Sequence, residues 1–367
     1  MTSQTPTLAD REARLAFWML APTFTIVFLI IFFPVLWNIW LSFKPVSLAD
    51  LRGTSLFEFN LTLDNFTKVL TDPDFTSGLV TTLVYATAGS GLSVFMGLVA
   101  ALLAHGEFPG RSLLRGVFIS PYIAPVVAVA FAWSFILDPQ LGVLNGLAVE
   151  KGFLDQPIPF LSQRWWDWHV FGFRIRLPLA LSSVILFEGW RYFPFAFLFI
   201  LARLQAIPEN LYQAARVDGA RPFQRFRHIT FPQLSMVLAN LFLFRFIWTF
   251  NKFDDIFLLT RGQAGTGVLT IKVYDYAFGE FNIGAGSAVA MVLFVVLAVL
   301  LMVYFRYVVK ESQTILCALV VTDLQEFGDL LLQRFRAHRL EHAGEEFAAR
   351  LQQYPHWDAF GDGFRQD

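Results

Sequence analysis

Long apolar runs alternate with short polar segments along most of this chain. A helix needs roughly 20 apolar residues to cross about 30 Å of hydrocarbon. Four runs of about this length or more contain no charged residue, and two more are interrupted by only a few charged side chains. The pattern therefore predicts six transmembrane helices, at residues 15–43, 75–104, 116–137, 177–202, 229–259 and 281–305.

The first run lies where a secretory signal peptide would lie, because only the short polar stretch 1–14 precedes it. The apolar part of a signal peptide is about 7–15 residues long and leads to a small-residue cleavage site. The run at 15–43 is longer, and no clear cleavage site follows it. We therefore interpret it as a membrane anchor and residues 1–14 as a cytoplasmic N-terminal segment.

Composition supports a membrane protein and excludes some functions. Hydrophobic residues make up 56% of the 367 residues and charged residues only 16%, with 42 Phe and 10 Trp. A formal net charge of -1 provides no basic surplus for binding nucleic acid. The single cysteine, Cys317, excludes an internal disulfide and a cysteine-based metal site.

Lysine and arginine near the span ends predict the orientation, since they favour the cytoplasmic side. With the N-terminus inside, the inner segments 1–14, 105–115, 203–228 and 306–310 hold 11 of these residues and the much longer outer segments hold 9. The density is higher inside, so both termini are expected in the cytoplasm. Aromatic residues of an outer segment are typical of the headgroup layer; they are Trp165, Trp166 and Trp168.

A polar, basic segment at 209–232 separates the fourth and fifth runs. Pro208 and Glu209 favour the start of a helix, through a fixed φ and an acidic charge near the positive end of the helix dipole. Gly219 predicts its end, because glycine tolerates the left-handed cap conformation. A second short basic helix is predicted at 221–228. The segment is expected to dock as one unit in a partner's groove; the alternative is an ordinary basic loop near anionic headgroups.

The amino-acid sequence of this segment resembles the coupling loop of permease subunits of ATP-binding-cassette importers, in the carbohydrate-uptake branch that includes the maltose-type permeases. That loop reads roughly Leu-Gln-x-Ile-Pro-x-x-Leu-Tyr-Glu-Ala-Ala-x-x-Asp-Gly-Ala, then a basic stretch and Ile-x-Leu-Pro. The chain has Leu204-Gln-Ala-Ile-Pro208, Leu211-Tyr-Gln-Ala-Ala215, Asp218-Gly-Ala220 and Ile229-Thr-Phe-Pro232. The resemblance implies that residues 204–233 form a coupling loop that inserts into a cleft of an ATPase subunit. Its candidate contact residues are Tyr212, Gln213, Ala214, Ala215, Asp218, Gly219 and Pro232.

Gln213 stands where the family usually has Glu, which removes a charge-assisted contact about twice as strong as a neutral one. The resemblance extends over residues 15–307 and implies an all-α membrane protein with the six-helix type I importer permease fold. It also implies an ATPase subunit dimer, a second permease subunit, an extracytoplasmic solute-binding protein and membrane lipid as partners, in a bacterial or archaeal inner membrane. No Gly-x-x-x-x-Gly-Lys-Ser/Thr motif occurs in the sequence, so ATP and Mg²⁺ are expected on the partner ATPase, with no cofactor or catalysis on this chain.

Charged side chains inside spans cost about 2.5–3.5 kcal/mol each, so they usually face a bundle interior or a wet cavity. Glu188 and Arg191 are three residues apart on one helical face and can pair. Two further pairs are consistent with the spacing: Arg245 with Glu188, and Lys252 with Asp254 or Asp255.

Counted from the coupling loop, the sugar pocket of maltose-type permeases implies a solute pathway in this chain. Its residues would be Tyr122, Glu188, Arg191, Tyr192, Phe195, Thr249 and Lys252. The alternative is a set of structural ion pairs that fixes helix packing. A sugar or related solute is expected, with oligosaccharides, monosaccharides, polyol phosphates and other anionic ligands all left open.

Residues 311–367 have the composition of a soluble, α/β-like tail, with a strand predicted at 314–321 and a helix at 324–354. The tail resembles the start of a class III nucleotide cyclase domain, in which Asp323 and Asp362 would bind a metal such as Mg²⁺. The rest of such a domain does not follow, so we expect no independent cyclase activity. A membrane-anchored cyclase or sensor is the alternative function, and a bland cytoplasmic extension is the alternative for the tail; the complete coupling loop favours the importer permease.

Overall fold

A computed structural model describes residues 8–47, 59–170 and 173–306. Contacts divide the chain into two compact units, Met1–Ala298 and Val299–Asp367, and the fold below belongs to the first except for the end of its last helix. The predicted tail strand and helix, and the two aspartates proposed there as metal ligands, lie outside the described residues.

Helices make up most of the described chain, with one small hairpin. In chain order the elements are α1 (Leu8–Val27), α2 (Phe33–Ser42), α3 (Asp64–Thr71), α4 (Pro73–His105), α5 (Arg111–Ile123), α6 (Val126–Ile136), α7 (Val143–Glu150), β1 (Trp166–Val170), β2 (Phe173–Leu177), α8 (Leu179–Gln205), α9 (Glu209–Val217), α10 (Pro222–Arg225), α11 (Phe231–Phe250), α12 (Asp254–Leu259), α13 (Leu269–Tyr274) and α14 (Ile283–Tyr304). Short π-helical turns join α1 to α2 and α10 to α11, and a third follows α13.

Within the described part of the chain, five continuous helices are long and apolar enough to cross a membrane, and a bent pair gives a sixth candidate. These six candidates correspond to the six apolar runs, so the predicted number of spans agrees with the structure when the bent pair is counted as one span. The continuous helices are Arg14–Ser42, Pro73–His105, Leu179–Gln205, Pro222–Phe250 and Ile283–Tyr304, and the bent pair is α5 with α6.

The third span is broken between α5 and α6, which meet at 98°. Pro125 explains the break, because proline disfavours helical conformation at the residue before it. Ala124 is accordingly extended, with φ -64° and ψ 144°. The break leaves carbonyl groups at the end of α5 without partners inside the helix.

The fifth span differs from its prediction at both ends. It ends at Phe250 and not at 259, since Asn251 interrupts the helix and α12 starts separately. At its other end, the predicted basic helix at 221–228 does not stand alone but continues into α11 through a π turn. Pro232 accounts for that turn, because proline lacks an N–H and crowds the carbonyl four residues back, which a wider turn relieves.

Small residues allow α4 and α8 to pack closely in the centre of the bundle. A Cβ added at Gly97 would lie 2.6 Å from the Cβ of Ala196, and one at Gly89 would lie 2.9 Å from Cγ of Glu188. Close approach of this kind is the usual role of glycine in membrane helices. Gly91, on the same helix, would meet nothing within 4 Å and has no such role in the described structure.

A two-stranded antiparallel hairpin, β1 with β2, lies between α7 and α8 and is absent from the all-α expectation. Trp166 pairs with Leu177, and Arg174 donates to the carboxylate of Asp167 at 2.5 Å. The alternation of apolar and polar residues at 166–170 and 173–177 is typical of a half-buried strand and could have predicted it.

The N-terminal end of α4 is tied to the segment around α13. Asp72 accepts hydrogen bonds from Lys272 at 2.6 Å and from the Tyr276 hydroxyl at 2.7 Å. Burial by itself would raise the pKa of Asp72, but these hydrogen bonds and the Lys272 charge outweigh burial and lower it. The bridge therefore joins segments about 200 residues apart in sequence.

Candidate functional site

Two helices and a tight turn form the coupling loop. At the end of α9, the Ala220 N–H donates to the Ala215 carbonyl at 2.9 Å and the Gly219 N–H donates to the Arg216 carbonyl at 3.1 Å. These two bonds make the Schellman cap predicted at this position. Gly219 has φ +75°, a conformation in which other residues are strained.

The coupling loop is fixed to the bundle. The hydroxyls of Tyr212 on α9 and Thr230 before α11 are hydrogen-bonded at 2.9 Å. Arg203, near the end of α8, donates to the backbone and side-chain oxygens of Gln233 at 3.2 and 2.7 Å. α10 also continues into α11, so the end of the loop and the fifth span form one continuous helical segment.

An outward surface of the coupling loop is available to a partner. Gln213 and Ala214 are exposed, and so are two apolar side chains, Val217 at 88% and Phe223 at 70%. A cleft of about 360 Å³ runs between α9 and the start of the fifth span. Its lining residues are Ala215, Asp218, Gly219, Ala220, Gln224, Arg225, His228 and Ile229.

The charged residues of the spans form a buried cluster at the meeting of α4, α8 and α11. Glu188 is fully buried and accepts hydrogen bonds from Arg245, from the Thr249 hydroxyl at 2.7 Å and from the Tyr85 hydroxyl at 3.1 Å. We call Tyr85, Glu188, Arg245 and Thr249 the buried clamp. The pairing of Arg245 with Glu188 is confirmed, whereas Tyr85 was missed, because nothing in an apolar run distinguishes it.

Arg191 does not pair with Glu188, and that prediction was wrong. Its guanidinium donates instead to the carbonyls of Pro121 at 3.1 Å and Ala124 at 2.9 Å. These are carbonyls that the break in the third span removes from helical bonding, and cations are favoured near a helix C-terminus. Arg191 therefore holds the broken span against α8.

Lys252 lies in the interruption after α11. Its ammonium donates to the Tyr192 hydroxyl at 2.5 Å and lies 3.5 Å from Asp255 and 3.6 Å from Asp254, as the spacing suggested. Asp255 is fully buried, and neither of its oxygens accepts a hydrogen bond from the described residues. Lys252 is the described cation within 4 Å of this buried carboxyl group.

The seven candidate pathway residues thus divide into two groups. Glu188, Arg191 and Thr249 are buried and bonded to protein groups. The remainder, which we call the accessible group, is at least partly open, and Tyr122 in it is 42% exposed. Its rings touch one another and Trp248, which the sequence analysis did not single out: Tyr122 contacts Tyr192 with centroids 6.1 Å apart, and Phe195 contacts Trp248 at 5.1 Å. The accessible group is Tyr122, Tyr192, Phe195 and Lys252.

Comparison with known proteins gives one family match and several full-length relatives. The family described as binding-protein-dependent transport system inner membrane component matches residues 93–312. The inner membrane ABC transporter permease protein YcjO of Escherichia coli (strain K12) is 32% identical over 77% of this chain and 90% of its own length.

Two further relatives carry names that state a solute. The trehalose transport system permease protein SugA of Mycobacterium tuberculosis (strain ATCC 25618 / H37Rv) is 30% identical over 80% of this chain and 89% of its own length. The sn-glycerol-3-phosphate transport system permease protein UgpA of Brucella abortus biovar 1 (strain 9-941) is 30% identical, with 81% and 95% covered.

A solved bacterial ABC transporter involved in the import of the acidic polysaccharide alginate contains a chain of the same fold. That chain superposes with a TM-score of 0.64 at 20% identity, over 81% of this chain and 97% of its own length. The shared architecture agrees with the type I permease fold expected from the coupling loop.

Proposed function

Because this chain belongs to the family of inner membrane components of binding-protein-dependent transport systems, and is thus a permease subunit of an ABC importer, we propose that it passes a sugar or related solute into the cytoplasm through the helices around its accessible group. The energy comes from ATP hydrolysis in a separate subunit, which acts through the coupling loop. The alternative of a membrane-anchored cyclase has no support among the matched relatives, which are transport-system components.

The observation that carries this proposal is the mechanical continuity of the coupling loop with two spans. α9 is bonded to the start of the fifth span through Tyr212, and α8 to the same region through Arg203. A partner that grips the exposed face of α9 therefore moves α8 and α11 together. α8 carries two of the four residues of the accessible group, Tyr192 and Phe195, and Lys252 lies two residues after the end of α11.

The partner at the coupling loop is proposed to be an ABC ATPase dimer that binds ATP and Mg²⁺. Gln213, with its exposed amide, contributes a neutral hydrogen bond there, and the apolar Val217 and Phe223 contribute buried area. Docking then depends on the shape of the α9 turn more than on an ion pair. The density of lysine and arginine on this side supports a cytoplasmic position for the loop and both termini.

A second permease subunit and lipid are proposed to share the exposed apolar surface of the bundle. The first span has no buried residue in its most apolar stretch, so it relies on such neighbours. An extracytoplasmic solute-binding protein delivers the solute at the opposite end from the coupling loop.

The solute is proposed to be a neutral polyhydroxylated molecule. The sequence left an anion open because of its arginine and lysine residues, but both arginines of the site are buried and bonded to protein oxygens. Lys252 is the cation of the accessible group, and two carboxylates lie within 3.6 Å of it. Aromatic rings with a few hydroxyl groups among them provide a lining that suits a neutral ligand of this kind.

The test uses the tagged chain, purified from its host membrane with its bound subunits and reconstituted in proteoliposomes with the solute-binding protein. Trehalose and sn-glycerol 3-phosphate serve as the neutral and anionic probes. We expect ATP-dependent uptake of trehalose; uptake of the phosphate alone would overturn the neutral assignment, and ATP-independent uptake or none would overturn the importer proposal for such solutes.

Variants of the turn test the coupling step in the same system. Gly219→Pro cannot adopt φ +75° and loses the N–H that bonds Arg216, so uptake should be lost while ATPase activity persists. Gly219→Ala should be milder, since a left-handed residue costs about 1–2 kcal/mol. Gln213→Ala, which leaves the turn intact, should be mildest; a larger loss with Gln213→Ala than with Gly219→Pro would refute the shape argument.

A further inference from the structure

A second opening lies along the facing surfaces of α8 and α11, between the accessible group and the coupling loop. It encloses about 440 Å³, a volume within the range of roughly 300–1,000 Å³ found for ligand sites. Aromatic and aliphatic side chains line it, with a single amide among them. The lining residues are Phe195, Phe199, Val237, Asn240, Leu241, Phe244 and Trp248. We call this opening the aromatic groove.

The aromatic groove is continuous with the accessible group. α8 and α11 run antiparallel, and contacts between them follow one another along both helices. Lys252 bonds Tyr192 at one end, the rings of Phe195 and Trp248 touch at 5.1 Å next, and Arg203 bonds Gln233 at the far end. The groove therefore leads from the accessible group towards the coupling loop.

Asn240 is the informative residue of the groove. It lies ten positions before Phe250, the last residue of its helix, so it is about 15 Å below that end at 1.5 Å per residue. If the end of the fifth span at Phe250 is taken as the edge of a hydrocarbon core of about 30 Å, this depth is near the middle of the core. Its side chain is exposed in the chain, and an amide facing acyl chains would carry a desolvation cost without compensation. Polar residues at such a depth usually mark a wet route.

We infer that the aromatic groove is the inner half of the solute route, and that Asn240 is a specificity-determining residue within it. The occupant is a polyhydroxylated ring in transit: its apolar face lies on the rings of Phe199, Phe244 and Trp248, and one of its hydroxyls bonds the Asn240 amide. This inference rests on the proposed function and extends the route beyond the accessible group. An apolar solute could also fit against the rings, but it would leave the Asn240 amide without a hydrogen-bond partner, so the groove favours a hydroxylated solute.

Cysteine accessibility tests this inference in the complete transporter. Cys317→Ser removes the single native thiol, and Asn240→Cys is introduced in that parent. We expect a charged, water-soluble thiol reagent to modify Cys at this position during ATP turnover, and trehalose with the binding protein to slow modification at least threefold. A matched control, Phe95→Cys on α4, is 62% exposed in the chain but outside the groove and should not react with the charged reagent.

Other outcomes identify other occupants. Reaction only with a membrane-soluble maleimide would mean that acyl chains fill the groove, and reaction only after dissociation of the subunits would mean that a second permease covers it; either result overturns the inference. Uptake by the Cys317→Ser parent reports the proposed function separately. If the parent transports trehalose and position 240 stays unreactive, only the groove assignment fails.

A conservative pair of variants gives a second measurement. Asn240→Leu keeps the side-chain size but cannot bond a hydroxyl, so uptake at low trehalose should fall about tenfold, the effect of one net hydrogen bond at the upper end of its range. Asn240→Gln keeps the amide and should retain most of the uptake. Equal uptake by the two variants would overturn the role of Asn240.

Discussion

Replacement of Glu188 by Gln separates a structural role of the buried clamp from a solute-contact role. Glutamine has nearly the same shape, but its single amide oxygen replaces only one of the two carboxylate oxygens that accept from Tyr85 and Thr249, and it leaves the charge of Arg245 without its partner. Arg245 is 2% exposed and Glu188 is 0% exposed, so solvent cannot take over the missing charge. Loss of one member of a buried ion pair costs about 3–5 kcal/mol.

The double variant determines how much of that cost belongs to the pair. Arg245→Met alone should also cost about 3 kcal/mol, because it leaves a buried carboxylate. Glu188→Gln with Arg245→Met removes both charges and should cost clearly less than the sum, with a coupling energy of at least about 2 kcal/mol. The matched control is Lys68 with Glu280, whose side chains are 47% and 53% exposed and should couple by about 1 kcal/mol or less.

The assay is reversible unfolding of the purified chain in mixed micelles, with uptake per folded transporter measured in parallel. A stabilising clamp predicts a large loss of unfolding free energy in each single variant and a partial recovery in the double variant. The reasoning would be refuted by a Glu188→Gln protein that unfolds within 1 kcal/mol of the unmodified chain but no longer transports. That result would place Glu188 in contact with the solute.

Four further outcomes follow from the described contacts. Arg191→Met should lower the melting temperature of the purified chain by on the order of 5 °C, with partial rescue by Arg191→Lys, since it removes two charge-assisted bonds at the broken span; an unchanged melting temperature would exclude this role. Lys252→Ala should reduce uptake while the purified complex stays assembled; normal uptake would remove Lys252 from the route. The lowered pKa of Asp72 means that its bridge stabilises the fold above the unfolded value of about 3.9 and is lost as pH falls through the folded value; Asp72→Asn should abolish that acid-dependent step in a pH series of melting temperatures. Deletion of the residues after Lys310 should leave uptake intact, and loss of uptake in an assembled, folded complex would assign the tail a role in transport.

The six spans could be predicted because the bilayer imposes one length and one polarity on every crossing helix. The turn at Gly219 could be predicted for a similarly local reason, since a left-handed cap requires glycine. Pro125 in an apolar run could also have predicted the break in the third span, where we expected one continuous helix, but the partner of the break could not be predicted. Only the packing of α8 against the break shows that Arg191 supplies the missing donors.

The separation of buried and accessible polar residues could not be predicted, because helical spacing gives a face but not what that face meets. Glu188 and Tyr192 are four positions apart and so lie on one side of α8, yet Glu188 is sealed in the buried clamp and Tyr192 borders the accessible group. In a helix of a soluble protein, the apolar face packs on protein and the opposite face meets water, so the residue types distinguish the two faces. In a membrane helix, lipid, protein and a solute route all adjoin apolar surfaces. A polar residue therefore indicates a polar contact, but the sequence does not tell whether that contact is with protein or with the solute. The hydrogen-bond partners in the structure distinguish the two kinds of contact. Three protein groups donate to Glu188, whereas the Lys252–Tyr192 pair lies partly open beside the aromatic groove.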